Sequence, residues 1–159
     1  MAFSSLRALI SGGGGGRSNL YAIFGYGSTG SVSSLTNKVS NAGVVSSDTA
    51  GVGTARESPA AAGYGSDKAI FGYGDTGSAS SLTNKVSNTG VVATDTTGVG
   101  TARSSLAAAM YGSDKAIFGY GWTGSFSSLT NKVSNTGVVS SDTAGVGTAR
   151  RYLAATSYG

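Results

Sequence analysis

The hexapeptide A-I-F-G-Y-G, residues 69–74, decides how this chain is organised. The same six letters begin again at Ala22 and at Ala116, so they recur at a constant step of 47 residues. A second string, T-A-R, keeps this step and begins at Thr54, Thr101 and Thr148. Two motifs in fixed phase indicate tandem repeats, in which one supersecondary unit buries its apolar face only against its neighbours.

The repeats divide the 159-residue chain into an N-terminal segment, residues 1–21, and three units, residues 22–68, 69–115 and 116–159. Five glycines, Gly12 to Gly16, lie in the N-terminal segment and predict a flexible tether. We expect the arm in front of this tether to dock on a neighbouring protein.

The composition excludes several classes of protein. With 39% apolar and 11% charged residues the chain is too hydrophobic for a charged disordered tail, and its 27 glycines predict many tight turns between short strands. Eleven basic residues outnumber seven acidic ones, but the lysines recur at separate repeat positions, so no nucleic-acid surface is expected. Cysteine and histidine are absent, which removes thiol nucleophiles, imidazole bases and the commonest zinc ligands. We expect no enzyme, metal or cofactor.

The sequence also lacks targeting signals. No apolar stretch approaches the roughly 20 residues that span a bilayer. The N-terminus has no basic region before its short apolar run. Neither a membrane span nor a signal peptide is therefore expected.

Glycine and polar clusters cut each unit into four segments, and each segment is predicted to be a strand. Residues 102–112 are small and apolar, and residues 68–74 form a continuous apolar run typical of a strand covered on both faces. Residues 80–88 alternate in polarity, and residues 90–100 are rich in β-branched side chains. No segment keeps a helical period except a short alanine run, so the predicted fold class is all-β.

The alternation in residues 80–88 predicts which side chains are buried. It places Leu82 and Val86 on the core face. Thr83, Lys85 and Ser87 are expected on the solvent face.

Four strands in a unit of 40 to 50 residues are typical of a β-propeller blade. In residues 101–121, an arginine precedes a small apolar strand and an aliphatic strand ends in Gly-Tyr-Gly, an order that resembles a kelch repeat. Gly-Tyr-Gly replaces the kelch Gly-Gly doublet, and the outer-strand Tyr and Trp of kelch repeats are missing. The near-identical copies also resemble repeat proteins of marine and cyanobacterial phages. That resemblance implies a place in the virion, in its tail or fibre region.

The number of strands predicts self-assembly. A first segment follows each T-A-R, at residues 55–65, 102–112 and 149–159, whereas the blade that begins at Ala22 still needs one. Three blades are too few for a propeller of about four to eight. We expect a head-to-tail homo-oligomer, with a six-bladed dimer formed by strand exchange as one form. Residues 4–12 are a competing donor for the first blade, so both donors remain open.

The differences between copies indicate a binding face. They concentrate in two loops of each unit that are expected at the same face of an antiparallel blade, and loops on a rigid scaffold commonly carry binding residues. The richest side chains there can stack on sugar rings or anchor a protein partner. Neutral drift at exposed positions is the alternative. The candidate binding residues are Trp122, Phe126, Arg151, Tyr152, Asp75 and Glu57.

Recurring charged residues have a predicted structural role. Asp48, Asp95 and Asp142 are expected to cap turns, and one arginine per unit is expected to pair with them or with backbone carbonyls between blades. Two functions follow from the sequence. One is a structural or adhesion component of a phage particle that contacts host glycans or another virion protein. The other is a free lectin-like or protein-binding propeller, extracellular or cytoplasmic.

Overall fold

A computed structural model describes residues 21–159 and shows an all-β chain with no helix. The glycine tether, the N-terminal arm and the donor segment at residues 4–12 lie outside the described residues. The eight strands are β1 (Ala22–Gly25), β2 (Thr36–Val39), β3 (Ala60–Tyr64), β4 (Lys68–Gly72), β5 (Thr83–Val86), β6 (Ala107–Tyr111), β7 (Lys115–Trp122) and β8 (Phe126–Val133).

The strands form three antiparallel sheets that follow the repeats. Sheet 1 is β1-β2, sheet 2 is β3-β4-β5 and sheet 3 is β6-β7-β8. The first strand of sheet 2 comes from the preceding sequence unit, since Ala60 pairs with Gly72 and Tyr64 with Lys68. Strand pairing is therefore offset from the sequence repeat by one strand, as the sequence predicts.

The prediction of four-stranded blades is wrong in two segments. Residues 90–100 form no strand, and they contact β5 through isolated bridges at Val92 and Thr96 and through single hydrogen bonds. Residues 149–159, predicted as a first strand, are also without a strand. Between the bridges a side-chain contact replaces the ladder, in which Asn84 donates to Asp95. The described residues form three sheets, and no closed propeller is present among them.

The predicted faces of β5 are confirmed for Val86 and wrong for Thr83. Val86 is 3% exposed, but Thr83, which was expected on the solvent face, is also 3% exposed. Thr83 lies opposite Gly72 in the ladder, and the Phe118 ring covers the sheet at Gly72. Both faces of β5 are therefore largely buried.

Aromatic rings pack each sheet on the next. The ring of Phe71 in sheet 2 lies edge-on to Tyr26, with 5.2 Å between centroids and 65° between ring planes. Phe118 in sheet 3 packs on Tyr73 at the same distance and angle. A Cβ atom on Gly72 would lie 2.7 Å from the Phe118 ring. The glycine that follows each phenylalanine therefore lets the next ring lie directly on the strand.

A polar network joins the same sheets. The buried guanidinium of Arg56 lies 4.0 Å over the Tyr26 ring centroid, and its Nη2 donates to Asn84 Oδ1 at 2.6 Å. The carboxylate of Asp95 accepts from Thr54 N and Oγ1 and from Asn84 Nδ2, and lies 3.9 Å from Arg56. The predicted pairing of arginine and aspartate between units is confirmed here.

The contacts between sheets 2 and 3 repeat this network. Arg103 lies 4.6 Å over the Tyr73 ring, donates to Asn131 Oδ1 and forms a 3.4 Å ion pair with Asp142. We call each set of Tyr, Phe, Arg, Asn and Asp contacts a junction. The structure has two complete junctions among the described residues.

The junctions shift the pKa values of their titratable groups. Burial raises the pKa of Tyr73 from 10.0 to about 12, and the charge of Arg103 opposes that shift only in part. Burial would raise the pKa of Asp95, but hydrogen bonds from Thr54 and Asn84 and the charge of Arg56 outweigh it and lower the pKa. The network therefore keeps its tyrosine neutral and its aspartate ionised.

Candidate functional site

The hairpin between β7 and β8 ends in a pair between Trp122 and Phe126. In sheet 2 an isolated bridge joins the equivalent residues, Asp75 and Ala79, so the pairing is shared and the aromatic side chains belong to sheet 3. The two rings meet edge-on with 5.3 Å between centroids. Aromatic cross-strand pairs stabilise antiparallel sheets, so we expect these two rings to strengthen the end of this hairpin.

Arg151 joins this pair to the following loop. Its guanidinium carbon lies 4.2 Å from the ring centroid of Trp122, 5.7 Å from that of Phe126 and 4.9 Å from that of Tyr152. Backbone hydrogen bonds place the loop there, because Gly121 N donates to Arg150 O and Tyr152 N donates to Ser105 O, both at 2.9 Å. Trp122, Phe126, Arg151 and Tyr152 thus form one group, which we call the aromatic cluster.

The aromatic cluster presents both apolar and charged surface. Phe126 is 57% exposed and Tyr152 is 75% exposed, while Trp122 and Arg151 are half-buried. Tyr152 has a left-handed backbone, φ 57°, that Ser58 and Ser105 share at the equivalent positions. The tight turn is therefore common to all three units, and only the side chain at this position differs between them.

The other two candidate residues lie at the equivalent place in sheet 2. The backbones of Glu57 and Asp75 exchange two hydrogen bonds of 2.9 and 2.8 Å, and Asp75 Oδ1 accepts from Gly77 N. Glu57 is exposed and Asp75 is half-buried. In sheet 3 the same backbone exchange joins Ser104 and Trp122, so Asp75 occupies the position of Trp122 and Glu57 that of Ser104.

Residues 21–159 contain no group of three His, Cys, Asp or Glu side chains that could hold a metal ion. In the same range no helix is long and apolar enough to cross a membrane.

Sequence reasoning missed the buried asparagines. Asn84 and Asn131 are fully buried and supply the acceptor for each junction arginine. The signal is the T-N-K-V string that recurs in all three units, in which the alternation places the asparagine on the core face.

No protein-family model and no curated protein sequence matches the chain.

Proposed function

We propose that this chain is a non-enzymatic structural and adhesion component of a phage particle, a multimeric β-repeat scaffold that presents its aromatic cluster to host glycans. The exposed cluster carries the binding part of the proposal. Its rings offer apolar faces for sugar rings, and Arg151 offers hydrogen-bond donors to hydroxyl or carboxylate groups.

The tail or fibre location is supported by the resemblance of the repeats to phage repeat proteins. Near-identical units give a stiff scaffold, and a single copy of the cluster per chain makes multivalent display depend on assembly. Another virion protein is the second candidate ligand, because aromatic side chains and arginine also dominate protein interfaces. A free lectin-like module with no virion role would use the same cluster.

Glycan binding tests the proposal directly. The full chain is applied to a glycan array, and the strongest ligand is titrated by calorimetry against Trp122→Ala. We expect this variant to bind at least about tenfold more weakly, since one aromatic anchor commonly contributes more than 1.4 kcal/mol. Tyr111→Ala is the matched control, because it removes an exposed ring outside the cluster.

An array without any retained glycan, or equal binding by Trp122→Ala, would remove the glycan role. Mass spectrometry of purified particles that encode the chain decides the location. Absence of the chain from those particles would leave only the free binding module.

A further inference from the structure

Sheet 3 carries one half of a third junction. Arg150 lies 4.2 Å over the Tyr120 ring centroid, and its Nη1 donates to Thr148 O at 3.1 Å. Tyr120 donates to Val146 O at 3.0 Å. Arg56 and Tyr26 make the same contacts at 4.0, 3.1 and 3.1 Å. Arg150 is thus arranged like the buried junction arginines, yet it is exposed.

Sheet 1 carries the other half. Asn37 Nδ2 donates to Ser46 O and to Asp48 Oδ1, as Asn84 Nδ2 donates to Ala93 O and Asp95 Oδ1. Among residues 21–159 no guanidinium contacts the side-chain oxygen Oδ1 of Asn37. Phe24 is 62% exposed, whereas its equivalents Phe71 and Phe118 are 4% and 0% exposed.

The surface of sheet 3 has a place for this phenylalanine. In the complete junctions, a phenylalanine ring lies against the glycine and tyrosine of the preceding A-I-F-G-Y-G string. The equivalent Gly119 and Tyr120 line an open cavity of about 230 Å³, together with Arg150 and Leu153. No described ring lies over Gly119, where a Cβ would meet only Thr130 at 3.4 Å.

We propose that sheet 1 of a second copy docks on sheet 3 and completes a third junction between chains, an inference that rests on the multimeric part of the proposed function. Arg150 donates to Asn37 of the partner subunit, and Thr148 donates to Asp48 of the partner subunit. Phe24 of the partner subunit packs on Gly119 and Tyr120. The interface continues the junctions within the chain, because every contributing residue type recurs at the same repeat position.

The segment after Arg150 extends this interface. Residues 154–158 correspond to β3, which pairs with β4 within sheet 2. They are exposed and outside any strand, while β1 is paired only with β2 among the described residues. Residues 154–158 therefore add a strand to β1 of the second copy, in the register that sets Tyr158 opposite Tyr21.

A second cavity accepts the last side chain of that strand. Tyr64, the equivalent of Tyr158, is 2% exposed and lies against Gly137. Around Gly90, the equivalent of Gly137, there is an open cavity of about 550 Å³ that Tyr21 and Val39 also line. Tyr158 is 99% exposed and enters this cavity of the second copy.

Native mass of the full chain tests the interface. We expect an assembly of two or more copies, and roughly thirtyfold or greater weakening of self-association in Arg150→Ala and in Phe24→Asp. Both side chains are exposed, so both variants fold, which circular dichroism checks. Lys68→Ala is the control, since it removes a positive charge outside the interface.

Mixing the two variants tests the head-to-tail geometry. Each variant keeps one intact half, so an equimolar mixture of Arg150→Ala and Phe24→Asp is expected to form a one-to-one dimer that neither variant forms alone. Failure to form this dimer would overturn the proposed orientation.

A monomeric full chain would overturn the proposal and would leave Phe24 to another occupant, such as residues 4–12. An assembly whose mass survives both substitutions would overturn this interface while leaving a multimeric scaffold intact. The glycan role is tested separately with the monomeric Phe24→Asp variant, in which the aromatic cluster is unchanged. Glycan binding by this variant would keep the binding role even if the interface is wrong.

Discussion

Tyr73 adopts a left-handed backbone conformation, φ 64°, which costs a non-glycine residue about 1–2 kcal/mol. Tyr26 and Tyr120 share this conformation at φ 64° and 65°. The turn directs each ring under a junction arginine and brings its hydroxyl to a backbone carbonyl of the same unit. The contacts of the ring therefore offset the strain of the backbone.

The buried phenol of Tyr73 gives the protein a predicted alkaline limit. Since its pKa rises from 10.0 to about 12 on folding, its stabilising contribution is complete below pH 10 and is lost as the pH rises through 12. A titration of phenolate absorbance should show a last step near pH 12 that is coupled to unfolding. Tyr73→Phe should lack that step, and a Tyr73 that titrates near pH 10 in the folded protein would contradict this account.

The pairing of the charged junction residues could be predicted at this scale, and the partner of the asparagines could not. Arginine and aspartate recur once per unit, and their opposite charges suggest a pair without any coordinates. The alternation that places Leu82 and Val86 on the core face also places Asn84 there, but it does not identify a partner for that side chain. Only the fold shows that Asn84 lies under the guanidinium of the preceding unit.

At the scale of the element, the glycine of an A-I-F-G-Y-G strand provides the surface on which the phenylalanine of the following sheet packs. Gly72 is covered by the Phe118 ring, and Gly119 has no described ring over it. The same residue at the same repeat position therefore has two environments within one chain. This difference allows a test with an internal control.

Gly72→Ala should destabilise the fold by about 1–3 kcal/mol, because the added methyl group would lie 2.7 Å from the Phe118 ring. Gly119→Ala should change the free energy of unfolding by less than about 0.5 kcal/mol. It is measured in the Phe24→Asp background, so that assembly does not contribute. Urea unfolding monitored by Trp122 fluorescence gives both values. Equal losses for the two variants would show that the phenylalanine ring does not cause the requirement for glycine.

The strands of the repeat were predictable to different degrees. The continuous apolar run of β4 and the alternating polarity around β5 are both visible in the sequence, so both strands are predictable from it. The segment at residues 90–100 has β-branched side chains, but only Val92 and Thr96 form bridges with β5. Whether this segment forms a strand depends on its hydrogen bonds to β5, which its composition does not reveal.

At the scale of the whole molecule, stability is expected to be the sum of sheets and junctions. Deleting residues 69–115 joins Lys68 directly to Ala116 and regenerates the K-A-I-F-G-Y-G string. The shortened chain should fold with one complete junction, a lower melting temperature and a smaller denaturant m-value, because less surface is buried. Calorimetry and urea unfolding measure these changes.

Deleting residues 69–91 is the matched control, because it breaks the phase of the repeat and should abolish cooperative unfolding. A folded phase-breaking variant would contradict the role of the 47-residue period.

The offset of β3 from its sequence unit has a genetic consequence. Sheets 2 and 3 each take their first strand from the preceding repeat. A crossover between matched positions of two repeats keeps this phase, so it preserves the pairings. Unequal recombination within the gene can therefore lengthen or shorten the protein by whole sheets without passing through a misfolded form. Sheet number then becomes a heritable variable that changes faster than point substitution alone would allow.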